Sequence, residues 1–224
     1  MTTVASVAGL TRPVSLAGSR VLPVDPSLSS FLPDGGLRRG STVTVTGRGQ
    51  GATSLVLGLA AAASRAGSWC GVVGVIDLGL VAAAAAGLDL SRVAVVPDVV
   101  PAQWATVVGV LVDTVDLVVA NPPRHLRIGD VRRLTNRVRE RGAVLIALGA
   151  GAWLEGADVR LTVEEARWYG PGAGDGHLEG RQIVVATGGR GAASRPQRVT
   201  LWLPAPAYAG SDVELGAADE ALFG

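Results

Sequence analysis

The chain has 224 residues, 48% of them hydrophobic, and a formal net charge of +1, so it is long enough for one α/β domain with a full core, or at most two small ones, and is not a polyelectrolyte. No apolar run reaches the length of a membrane span, because Gly, Arg and Asp interrupt the Ala-rich stretches. Cys70 is the single cysteine and no basic stretch leads into an apolar one at the start, so no disulfide framework, cysteine-held metal or secretory signal is expected, and the expected location is the cytoplasm.

The first 24 residues carry turn formers and no periodicity, and are expected to be a loose arm. Residues 25–204 are expected to form the folded domain, and 205–224 an acidic tail. Pro26 to Leu32 is predicted as a short helix with Ser27 near its start. Thr42 to Thr46 alternates β-branched residues and is predicted as a strand. A loop from Gly47 to Gly51 leads into a helix over Ser54–Arg65, ended by Gly67. Gly71–Ile76 is the second predicted strand, ending at Asp77; Val81–Ala86 is a short helix closed by Gly87. Strand Val93–Val96, helix Trp104–Val112, strand Val115–Ala120, charged helix Asp130–Arg141 and strand Ala143–Ala147 follow. This alternation predicts a mainly parallel sheet covered by helices on both faces. Ala157–Trp168, Gln182–Thr187 and Gln197–Leu203 then read as strands without helices between them, which predicts antiparallel strands extending one edge.

One stretch carries chemistry. Thr42–Thr46, the Gly-rich loop and the following helix have the layout of a phosphate-binding loop, in which backbone N–H groups cradle phosphates and a lysine reaches the terminal one. Gly51-Ala52-Thr53 stands where Gly-Lys-Thr would be, and all 20 basic residues of the chain are arginine. Together with abundant Ala, Gly and Val, that arginine usage reads as the codon bias of a GC-rich genome.

The residues in order resemble a known family. Pro26-Ser-Leu-Ser-Ser-Phe-Leu, Gly35-Gly-Leu-Arg-Arg-Gly40, the strand and the Gly-rich loop look like the entry to the core of RecA recombinases. Val75-Ile-Asp77, Ala86-Gly-Leu-Asp-Leu90, Val96-Pro-Asp98 and Val115-Asp-Leu-Val-Val-Ala-Asn121 resemble the next segments, and Ala157–Thr162 and Val184–Gly191 the late strands. The resemblance runs over residues 26–203 and is nearest to the degenerate RecA-like proteins of the ImuA type. It implies a RecA-like fold: a mainly parallel central sheet, helices on both faces, and antiparallel strands at the C-terminal end. It also implies a role beside an ImuB-like Y-family polymerase homologue in DNA-damage-induced mutagenesis.

Departures from the family shape the expected activity. Ala52 removes a charge-assisted phosphate contact worth about 1.5–3 kcal/mol, and Gly47 falls one residue late in the loop. The strand that should end in a metal-associated carboxylate ends in Asn121, and the place of the catalytic carboxylate, two residues after Asp77, is Gly79. Positioning water, metal and phosphate is the work of a phosphoryl-transfer site, so no ATP hydrolysis, no catalytic residue, no metal and no cofactor are expected. The remnant loop of Gly47, Gly49, Gly51, Thr53 and Ser54 either shapes a tight turn or keeps an anion site at the helix N-terminus. Asp77 and Asp116 are carboxylates away from the family's catalytic positions.

Both DNA-binding loops implied by the resemblance are short here, which leaves DNA binding weak or indirect. Arg124, Arg127, Arg132, Arg133, Arg137, Arg139 and Arg141, with only Asp130 and Glu140 among them, form a basic patch. It reads as a phosphate contact, a dock for an acidic partner, or a solvated helix face. Trp153 and Trp168 are expected in the core or an interface rather than as base stackers. The tail from Pro204 holds four acids and no base, and its Leu222 and Phe223 either fold back or dock a partner such as a sliding clamp. The resulting expectation is an inactive adaptor binding the ImuB-like protein, with no membrane contact. The alternatives are a regulator that competes with RecA, or pairs with itself, at a subunit interface, and a nucleotide-binding switch without hydrolysis.

Overall fold

The computed structural model describes residues 20–47, 51–76, 78–149, 156–169 and 180–203. Strands β1 (Val21–Leu22) and β2 (Leu37–Arg38) pair antiparallel on either side of helix α1 (Pro26–Ser29). The Asp25 carboxylate caps α1 by accepting the Ser27 N–H at 3.2 Å, and Pro26 takes the first helical position, where its missing N–H is no loss. The main alternation follows: β3 (Thr42–Gly47), α2 (Ala52–Arg65), β4 (Cys70–Val73), α3 (Leu80–Ala85), β5 (Val93–Val96), α4 (Pro101–Thr114), β6 (Leu117–Ala120), α5 (Ile128–Arg141) and β7 (Val144–Leu148). Three strands complete it: β8 (Val159–Tyr169), β9 (Gly180–Gly189) and β10 (Gln197–Leu203).

The mixed α/β architecture is as the alternation predicts. One eight-stranded sheet has the order β10-β9-β8-β3-β7-β6-β4-β5, parallel from β8 to β5 and antiparallel from β8 through β9 to β10. Strands β6 and β7 are apolar without interruption because both of their faces are covered. Leu117 and Val119 of β6 and Val144 and Ile146 of β7 pack with Leu55, Leu59 and Ala83 from α2 and α3. Their neighbours Val118, Ala120, Leu145 and Ala147 pack with Trp104, Val108, Leu134 and Val138 from α4 and α5. Each pair of helices thus lies on its own face, as right-handed crossovers require once the chain reverses direction across the sheet.

Three expectations change. The first late strand, β8, joins the sheet parallel to β3, with Val43 opposite Val159 and Gly47 opposite Val163; only β9 and β10 are antiparallel extensions. In this register Val159, Leu161 and Val163 bury on the α2 face. The second strand stops at Val73 rather than Ile76, because Gly74 turns the chain at φ +69° and leaves Ile76 75% exposed. The end of the expected arm is structured: Leu22 and Val24 are buried in the core, held by the β1–β2 pair.

Candidate functional site

β3 lies where the strand order reverses, with β7 on one side and β8 on the other. In an open α/β sheet the crevice outside the carboxyl ends of such strands is where ligands bind. Asn121 follows β6 there, its N–H donating to the Val73 carbonyl at 2.9 Å. Added Cβ atoms at Gly74 and Gly149 would lie 3.0 Å from the Asn121 carbonyl oxygen and 3.4 Å from its Oδ1. Asn121 is exposed, with its backbone carbonyl beside Gly74 and its amide oxygen beside Gly149. Gly79 precedes α3 and brings no side chain to this end.

Of the remnant loop, Gly47, Gly51, Thr53 and Ser54 are described, and Gly49 lies outside the described residues. Gly51 precedes α2 at φ +133° and is pressed against the hairpin: a Cβ there would stand 3.3 Å from both Ile183 Cγ2 and Val163 Cγ1. Ala52 opens the helix half-buried, its Cβ turned toward Gly47, so the position of the absent lysine is packed against the loop. Thr53 is exposed and Ser54 half-buried. Among the described residues no side chain caps α2 and its first turn holds no acid, so its leading N–H groups have no intrahelical acceptor.

One residue that sequence reasoning passed over sits beside this turn. The β8–β9 hairpin runs on past the end of β3, through an irregularity between Val163 and Glu165, to the opposed pair Trp168 and Arg181. Arg181 points to the α2 face with Ile183 and Val185 and is only 7% exposed. Its Nη1 donates to Ser54 Oγ at 3.1 Å, its Cζ lies 3.5 Å from the centroid of the Trp168 ring, and among the described residues its Nε has no hydrogen-bond partner. Burial lowers its pKa from the ordinary arginine value. The alternation Arg181, Ile183, Val185 was the signal available: on a strand, residues two apart share a face, so the arginine had to follow the apolar pair inward. Trp168, expected in the core or an interface, is 45% exposed beside it.

The basic patch is smaller than its seven arginines suggest. Arg137 donates through Nε to Asp113 Oδ1 at 2.7 Å and through Nη2 to the other carboxylate oxygen, and Arg141 reaches the same Asp113 at 3.0 Å. Arg133 pairs with Asp130, and Arg139 lies 3.9 Å from Asp158. Asp113 carries its charge readily, its pKa lowered first by the hydrogen bond from Arg137 and further by the charges of Arg137 and Arg141. Arg124, Arg127 and Arg132 are the exposed remainder and make no ion pair among the described residues. Asp116 is structural: it accepts the Trp69 N–H at 3.1 Å and pairs with Arg39 at 2.9 Å. Asp77, Trp153, Leu222 and Phe223 lie outside the described residues. Among the described residues no helix is long and apolar enough to cross a membrane.

The family model of the MT3502 N-terminal domain matches residues 30–155, which run from the end of α1 past β7 and include the remnant loop and the α5 patch. The uncharacterized protein Rv3395c of Mycobacterium tuberculosis (strain ATCC 25618 / H37Rv) is 38% identical over 112 residues, covering 50% of this chain and 53% of that protein. The match therefore spans about half the length of that curated relative. Arg181 and the whole β8–β10 unit fall beyond the residues the family model matches.

Proposed function

The chain belongs to the MT3502 N-terminal domain family, and from that premise we propose that it is a catalytically inactive RecA-like adaptor of DNA-damage-induced mutagenesis, binding an ImuB-like Y-family polymerase homologue. The observation that carries the reading is the meeting of Ala52, Gly79 and Asn121 at the carboxyl end of one mainly parallel sheet. A hydrolase built on this layout places a cation and carboxylates at that end to hold phosphate, metal and water. Here the same end carries a methyl group, a glycine and a neutral amide. The helices on both faces and the two antiparallel strands beyond β8 support the RecA-like part of the reading. The short link of residues 121–127 between β6 and α5, with Arg124 and Arg127 exposed in it, supports a partner contact over a filament grip on DNA.

The test has two arms. Purified protein is assayed for ATP turnover with and without single-stranded DNA, and no stimulated turnover is expected. Tagged full-length chain and a form lacking residues 205–224 are used as bait in DNA-damaged cells, and an ImuB-like polymerase homologue is expected with the full chain. DNA-stimulated hydrolysis, or recovery of RecA in place of the polymerase homologue, overturns the reading.

A further inference from the structure

We propose that residues 79–91, which carry α3, form a strap that opens as a unit while the sheet stays folded, and that its opening joins two apolar spaces into one slot over Cys70. The inference goes beyond the adaptor reading, which needs no movement.

The strap is rich in apolar residues and buries few of them. A six-residue helix does not persist in water on its own, so α3 depends on what it packs against. Among the described residues of the strap only Ala83 and Leu88 are buried, while Leu80 is 50% and Val81 85% exposed. The polar ties are equally thin. The Asp89 N–H donates to Ser64 Oγ at 2.9 Å, and Arg65 Nη1 donates to the Gly87 carbonyl at 3.4 Å. Just past the strap, Arg92 Nη1 donates to the Gly67 carbonyl at 3.1 Å. Each of these bonds has a side chain at one end. Among the described residues no backbone-to-backbone bond joins the strap to α2 or to the sheet. Its own backbone bonds are internal: Ala83 donates to the Gly79 carbonyl, Ala86 to Ala82 and Leu88 to Ala83. The segment can therefore leave as one piece, and the paired strands β4 and β5 on either side keep its ends in place. Segments with few buried contacts and few outside bonds open at a lower free energy than the whole fold.

Unfilled space lies on two sides of α3. A groove of about 180 Å³ runs between α2 and α3, lined by Gly58, Ala61, Ala82, Ala85, Ala86 and Leu203. Deeper in, a narrow apolar gap lies among Leu78, Leu88, Ala60, Cys70 and Val72. Leu57 lines both spaces, so lifting the strap makes them continuous. Atoms bordering a gap forgo part of their dispersion attraction, which lowers what the closed state gains over the open one.

Cys70 is the single cysteine of the chain and reports the opening. Full-length protein is labelled with a thiol reagent at urea concentrations below the unfolding transition, and backbone hydrogen exchange is followed in parallel by mass spectrometry. Labelling is expected to be many times slower than in the unfolded chain, with a urea slope less than about half that of global unfolding. Residues 79–91 should exchange ahead of α2 and β6. Leu88→Ala speeds labelling about tenfold or more, Arg65→Met speeds it about threefold, and Leu134→Ala on the other face of the sheet leaves it unchanged. If Leu88→Ala does not fold, the wild-type slope and Arg65→Met decide. Labelling with the full urea slope of global unfolding overturns the proposal, as does exchange in 79–91 no faster than in α2, or equal acceleration by Leu134→Ala.

Discussion

Helices α2 and α5 have the same length and opposite surroundings. Eight α2 residues from Leu55 to Ser64 are buried, because β10 covers the side of the helix that the parallel sheet leaves open; a Cβ on Gly58 would lie 3.3 Å from Leu203 Cδ2. In α5 only Leu134 and Val138 are buried, and the outer face is arginine. Four of the α5 arginines find carboxylates on neighbouring elements or on the helix itself. Among the described residues the one arginine buried against α2 finds none. Charge density in a sequence is thus a poor guide to where charge is uncompensated. More than half of the conspicuous patch is paired, mostly with carboxylates outside it.

The largest test of this contrast is in the two cores. Leu59→Ala removes a fully buried α2 side chain from a site closed on both sides, and a loss of about 3–5 kcal/mol is expected in urea unfolding. Leu134→Ala on α5 is expected near about 2 kcal/mol, because a helix with one solvated face can settle into the space. Equal losses would show that β8–β10 does not clamp α2.

The two helix ends come next. Gly142 ends α5 at φ +68° with open space around its missing Cβ, so Gly142→Ala costs only the left-handed backbone, about 1–2 kcal/mol. Gly51→Ala adds contacts with Val163 and Ile183 to a φ of +133°, outside the left-handed region that Gly142 occupies, and is expected to cost more than Gly142→Ala in thermal melts. The reverse ranking would mean that the hairpin yields easily.

The paired charges of α5 give a smaller, pH-dependent effect. The Asp113 carboxyl is held below its ordinary range, so its ion pairs contribute stability that is fully present above the unfolded value of about 3.9. That contribution disappears as pH falls through the lowered folded value. Wild type and Asp113→Asn should therefore differ in urea midpoint at neutral pH and converge in acid. A difference that persists below both values would show that packing, not charge, separates them.

The smallest effect concerns reactivity. Cys70 is 1% exposed on the α2 face of the sheet, and burial, with the charge of Asp116, pushes its thiol up to about 12. At pH 8 a thiol reagent should label it only as fast as the protein opens, and faster in Leu59→Ala. Rapid labelling of the folded wild type would show that the α2 side of the sheet is not closed.

Much of this molecule follows from local chemistry. The apolar run Leu117–Ala120 is a strand because it buries both faces, Val93–Val96 pairs at the half-covered edge of the sheet, and Gly142 ends α5 because only glycine adopts that backbone freely. Ala52, Gly79 and Asn121 could be seen in the sequence as missing chemistry because a motif fixes the spacing at which a lysine or carboxylate should appear. The direction of β8 could not be read, because pairing is a choice between partners distant in sequence: Val43 and Val159 are brought together only by the whole sheet. The pairing of Arg137 with Asp113 and the bond from Arg181 to Ser54 were hidden for the same reason. The sequence by itself determined the elements and their alternation, since each depends on neighbours within a few positions. Only the tertiary structure decided which arginines are neutralised and which is left facing a helix N-terminus, since electrostatic compensation depends on distance in space.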